Sequence, residues 1–104
     1  MKLKIGGRIY KVSIVDDLRQ DDGKRCNGTL HGDSHDISVA SDISIIKQQE
    51  TTIHEALHAI INYFCIEDNE TVTSQVANGI YALIVDNPEF IKKIQNDYRK
   101  ASKE

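Results

Sequence analysis

From Ile43 to Cys65 the chain contains neither glycine nor proline, and within that stretch stands His54-Glu55-Ala56-Leu57-His58. An unbroken run of this length can form one long helix, capped by Ser41 or Asp42. Its apolar residues agree: Ile53, Leu57, Ile60 and Phe64 recur at i, i+4, i+7 and i+11, the spacing of a buried stripe, with Ala56 widening it. Isoleucine and threonine lower the helical propensity, so a break near Gln48 to Glu50 stays open as an alternative. Residues four apart on a helix share a face, and His54 and His58 can therefore offer two imidazole nitrogens to one ion. Glu55 lies one step round the helix beside them. A carboxylate there can act on a water molecule without binding the metal, which is the requirement for a general base in metal-assisted hydrolysis. The pattern indicates zinc, Zn2+, as cofactor. Its bland counterpart is an amphipathic helix whose two flanking histidines merely hydrogen-bond or titrate.

The chain has 104 residues, enough for one hydrophobic core and too few for two ordinary ones, so residues 1–104 are expected to form a single domain. Thirteen Lys and Arg against sixteen Asp and Glu give a formal net charge of −3. Such a balance provides no cationic field for nucleic acid or anionic lipid, and neither is expected as a partner. Cys26 and Cys65 are far apart and belong to no C-x-x-C pair, which argues against both a disulfide scaffold and a cysteine zinc site. The start, Met1 to Gly7, lacks the apolar segment of a signal peptide, and no apolar run approaches transmembrane length. A soluble, cytoplasmic protein is the expectation.

Around the helix the chain alternates between strand and turn signals. Leu3 to Ile5 and Arg8 to Val15 read as strands joined at Gly6-Gly7, with Tyr10, Val12 and Ile14 on one face. Charge dominates from Asp16 to Arg25, the composition of a solvated connection with its tip near Asp22-Gly23. Cys26 to His31 and Asp36 to Ala40 form a second candidate hairpin around Gly32 to His35. Beyond the motif, Glu67-Asp68-Asn69 reads as a turn, and Asp68 or Asn69 can cap a helix running to about Val85. Val72, Val76, Ile80, Leu83 and Ile84 supply its apolar side. Pro88 opens a third helix to about Lys100, packing through Phe90, Ile91, Ile94 and Tyr98. The fold class expected is α+β: a small antiparallel β-sheet of amino-terminal hairpins packed against three α-helices.

This order, together with His54-Glu55-Ala56-Leu57-His58, Ala77-Asn78-Gly79-Ile80-Tyr81 and Asp86-Asn87-Pro88-Glu89-Phe90, resembles small zinc metallopeptidases of the zincin class from phages and prophages. The likeness extends over nearly the whole chain, although the amino-terminal hairpins match in pattern alone. It implies a minimal zincin-like fold in which His54 and His58 bind zinc, Glu55 activates water, and a third ligand comes from downstream. Glutamate-type zincins take that ligand from the next helix, where Glu70 is the best-typed candidate, with Glu67 and Asp68 behind it. Reach opposes the assignment, because on antiparallel helices a residue opposite His58 would fall one or more turns beyond Glu70. The resemblance also implies an acid near the positions held here by Ser74 and Gln75, and this chain has none there. Either Glu70 bends back to the ion, or two histidines are completed by water or by an amide such as that of Gln75.

The remaining candidates carry less. His31 and His35 also stand four apart, but Gly32, Asp33 and Ser34 between them signal a turn, so they are read as a solvated hairpin tip. Tyr81 could donate to a developing oxyanion, against the plainer reading of a structural tyrosine. Cys65 reads as a small buried residue. The leading function is a zinc peptidase acting on a peptide or protein, and the alternative is a zincin-fold binding or regulatory protein with weak or lost catalysis. A zinc ribonuclease of the bacterial kind resembles H-G-x-L-H followed by a further histidine, whereas no histidine follows His58 here. If the sheet is that of a zincin, the strand Asp36 to Ala40 should lie on the rim of the site, its free edge open to an extended peptide.

Overall fold

The computed structural model describes residues 1–5, 7–63 and 69–103. Its elements are β1 (Lys2–Ile5), β2 (Arg8–Val15), β3 (Gly28–His31), β4 (Asp36–Ala40), α1 (Ile45–Tyr63), α2 (Glu70–Asp86) and α3 (Pro88–Ser102). The class is α+β, with one four-stranded sheet in the order β1-β2-β4-β3. Both hairpins are antiparallel, β1 with β2 and β3 with β4, but they meet through a parallel pair in which Val12 faces Ile37 and Ile14 faces Val39. The sheet is thus mixed. Burial explains the arrangement: Ile37, Val39 and Ala40 are completely enclosed, as a central strand requires, while β3 is short and only half-buried.

This order overturns one expectation. Asp36–Ala40 lies inside the sheet and is paired on both sides, so it has no free edge for a peptide. The edge strands are β1 and β3, and of the two the motif helix packs more extensively on β3.

The core joins Tyr10, Val12, Ile37 and Val39 of the sheet to Ala59 of α1, with Leu3, Ile5, Leu30 and Ile43 packed round it. Ile14 follows the same alternation as Tyr10 and Val12, yet it is exposed. The charged connection is more ordered than its composition suggests: Leu18 is buried, Arg19 bridges to Arg25, and Gly23 turns the chain at φ 84°. Gly7 makes the first hairpin turn at φ 86°.

The motif segment forms a single helix with no break at 48–50, and it starts later than Ser41 or Asp42 would place it. Those two side chains are engaged elsewhere, Ser41 donating to Asp16 and Asp42 accepting from Arg25. Ser44 caps instead, its Oγ accepting from the Lys47 N–H at 3.1 Å. The line of α1 pressed most deeply inward is Thr51, Glu55 and Ala59, not the larger Ile53, Leu57 and Ile60. Those bulkier residues, with Ala56, line a groove of about 270 Å³ between β1 and α2, together with Leu3, Ile5, Ile80 and Ile84. Phe64 and Cys65 lie outside the described residues.

Asn69 caps α2, its side chain accepting from the Val72 N–H at 3.1 Å. The helix presents the small residues Thr73 and Ala77 inward; of the expected apolar face, Ile80 and Ile84 line the groove against α1, while Val72, Val76 and Leu83 are left in solvent. The third helix begins at Pro88 as expected but buries no residue. Phe90, Ile94 and Tyr98 are exposed, and its main neighbour is α2. Among the described residues no helix is long and apolar enough to cross a membrane.

Candidate metal centre

The two motif histidines project from successive turns of α1, and their Nε2 atoms stand 3.1 Å apart. Both side chains are largely covered, at 22 % exposure for His54 and 13 % for His58. Glu55 is buried beneath β3. One ligand atom each from His54, Glu55 and His58 falls within a 4.8 Å span.

Glu70 completes the group. One of its carboxylate oxygens lies 2.7 Å from His54 Nε2 and the other 2.9 Å from His58 Nε2, so a single side chain bridges the pair. The reach that stood against Glu70 as third ligand is met because α2 begins directly beside the motif. Successive contacts run antiparallel along α1: Glu70 meets His58 and His54, Ser74 meets His54, and Tyr81 meets Gln49. Asn69 takes the capping role, which leaves the Glu70 carboxylate for the histidines, and the positive end of the α2 dipole favours its charge there. Glu67 and Asp68 lie outside the described residues. Gln75 is exposed.

These donors fit a zinc ion in type. Zinc takes imidazole nitrogen at about 2.0–2.1 Å and carboxylate oxygen at similar range, which at tetrahedral angles separates neighbouring ligand atoms by roughly 3.3 Å. The separations of 2.7, 2.9 and 3.1 Å are a few tenths of an ångström short of that. Glu70 is 69 % exposed, so the open side of the cluster faces solvent.

The surroundings of Glu55 include residues that sequence reasoning passed over. Gly28 on β3 leaves no room for a side chain: a Cβ there would meet Thr51 Cγ2 at 2.5 Å and Glu55 Cγ at 3.2 Å. The edge strand is thereby held close to the motif helix. Cys26 lies near enough to feel the glutamate: burial raises its thiol pKa, and the charge of Glu55 adds to the rise. The signal for Gly28 was a lone glycine inside a strand pattern, and for Ser74 its place four residues after Glu70.

The other candidates stand apart. Tyr81 Oη donates to Gln49 Oε1 at 2.6 Å, a strut between α1 and α2 rather than a group at the histidines. His31 and His35 sit at the β3–β4 turn, where His35 adopts φ 56° and packs its ring 5.0 Å from that of Tyr10. Comparison of the chain with protein-family models, curated proteins and solved structures returns no match.

Proposed function

We propose that this chain is a zinc-dependent peptidase, with His54, His58 and Glu70 as metal ligands and Glu55 as the general base. The observation that carries this reading is the bridge from Glu70 to both imidazoles, which brings a third donor to a pair already spaced for one ion. The resemblance of the His54 to His58 motif and the Tyr81 to Phe90 segment to zincins supports it. Bound zinc would supply Lewis acidity, polarising a scissile carbonyl and acidifying water.

The chain's own residues then divide the work. His54 and His58 would offer imidazole nitrogens to the ion from one helical face, and the Glu70 carboxylate would offset part of its charge. Glu55 sits beside the ligands without belonging to their bridged set, and its carboxylate accepts the proton of the attacking water. Burial of that carboxylate under Gly28 limits the positions it can adopt, so the base is held ready rather than recruited. Of the two edge strands β3 packs more extensively on α1, and an extended peptide would pair along it.

Metal analysis and a peptide-library assay test the proposal together. Purified protein should carry about one zinc per chain, and the double variant His54→Ala, His58→Ala should carry none. Glu55→Gln keeps shape but cannot take the proton, so it should retain zinc while hydrolysis falls by about two to four powers of ten. Zinc bound at full occupancy without the two histidines would overturn the metal site. Undiminished hydrolysis in Glu55→Gln would overturn the chemistry. Zinc binding with no hydrolysis by the wild type across the library would favour a zincin-fold binding protein instead.

A further inference from the structure

We propose that Ser74 is a positioning residue for His54, selecting the imidazole tautomer that can bind the ion; the inference rests on the metal-site reading above. Ser74 Oγ lies 3.5 Å from His54 Nδ1, on the opposite side of the ring from Glu70. Two residues one turn apart on α2 therefore address the two nitrogens of one imidazole, Glu70 at Nε2 and Ser74 at Nδ1.

A neutral imidazole carries a single N–H, and the nitrogen bearing it cannot be a ligand. With the proton on Nδ1, donated to Ser74 Oγ, Nε2 keeps its lone pair facing Glu70 and His58. With the proton on Nε2, the same nitrogen donates to the Glu70 carboxylate, and the ligand pair is lost. A serine hydroxyl has two acceptor lone pairs and rotates freely, so it can accept from Nδ1–H. In metal sites the partner of the second ring nitrogen fixes both tautomer and ring orientation. Ser74 is half-buried on the side of α2 that faces α1.

The competing explanation is that position 74 is small simply because α2 packs closely on α1, as Thr73 and Ala77 do. The two readings part at Ser74→Ala. Alanine is smaller and a better helix former, so on packing grounds the variant should be neutral or mildly stabilised. As a positioning residue, Ser74 should matter to zinc and not to the fold. Competition with a chromophoric chelator should show zinc affinity lowered about 10- to 100-fold in Ser74→Ala, with the metal-free melting temperature unchanged or raised. Ser74→Thr, which keeps the hydroxyl, should recover most of the loss.

Long-range proton–nitrogen NMR on histidine-labelled protein gives a second readout. In the zinc-bound wild type the His54 proton should reside on Nδ1 and exchange slowly, and in Ser74→Ala it should exchange faster. Zinc affinity within twofold of wild type in Ser74→Ala, in a protein whose wild type binds one zinc, would overturn this inference alone. A wild type that binds no zinc would bring down the metal site and this inference with it.

Discussion

In the sheet, Ile37 and Val39 alternate along a strand and are completely enclosed; on α3, Phe90, Ile94 and Tyr98 recur one turn apart and are 52, 49 and 73 % exposed. Each set shows the periodicity of its element, and only one is covered. The difference teaches that an apolar pattern identifies a face, while burial depends on whether another element arrives to meet it. α2 makes the point most sharply. Val72 and Val76 form its obvious stripe, yet Thr73 and Ala77, one residue further round, are the residues it buries. Turning the helix to bury the valines would rotate it by about 100°, the angle of one residue. Glu70 and Ser74 would swing off the histidines. The small-residue seam therefore does two things at once: it permits close helix packing, and it aims two polar side chains at the histidine pair.

The contrast can be broken by comparing truncations. Ile37→Ala should lower unfolding free energy by about 2–5 kcal/mol, whereas Ile94→Ala should stay within about 0.5 kcal/mol of wild type. Denaturant titration of the two variants measures both. Equal losses would show that α3 is covered in solution as β4 is.

A test of close approach follows at the margin of the enclosed region. Gly28→Ala drives a methyl group into Thr51 Cγ2, a contact of 2.5 Å that must be relieved by movement, and should cost about 1–3 kcal/mol. Thr51→Ser removes that Cγ2 and should restore part of the loss, a coupling that a double-mutant cycle reads directly. Strictly additive losses would mean that β3 and α1 are not held by this contact.

At the start of α2 the expected effect is smaller. Asn69→Ala removes the side chain that accepts from the Val72 N–H and should cost about 1 kcal/mol. Because the frayed turn carries Glu70, zinc affinity should fall as well. A change in stability with no change in zinc affinity would separate Glu70 from the metal.

The smallest effect belongs to the exposed pair of Asp42 and Arg25. The Arg25 guanidinium holds the Asp42 carboxyl below its ordinary value of 3.8, chiefly through their hydrogen bond. A depressed folded-state pKa adds stability that is complete above the unfolded-state value and disappears as pH falls through the folded-state one. The wild type should therefore exceed Asp42→Asn slightly at neutral pH, and the gap should close in acid. Melting curves from pH 7 down to about pH 2 measure it, and a gap that widens in acid would contradict the assignment.

Local information was enough for the elements themselves. The absence of Gly and Pro from Ile43 to Cys65, the glycines of the first turn and Pro88 after Asn87 act within a few residues, so strand and helix positions were legible to within a residue or two. The motif was legible for the same reason, since residues one and four apart on a helix have nearly fixed relations whatever surrounds them. Three things depended on contacts between distant parts of the chain. The parallel pairing of β2 with β4 placed Asp36–Ala40 inside the sheet and passed the free edge to β3, because hydrogen bonding between strands from separate hairpins leaves no local pattern. The depth of Glu55 came from Gly28, whose missing side chain matters only when β3 lies against α1. The arrival of Glu70 and Ser74 at opposite nitrogens of His54 came from the rotation of α2, which is set by which of its faces fits α1. The sequence by itself determined the elements and the two histidines with their glutamate, because those relations are short-range. Tertiary packing alone decided the sheet order and the helix rotation that bring the remaining groups to the site.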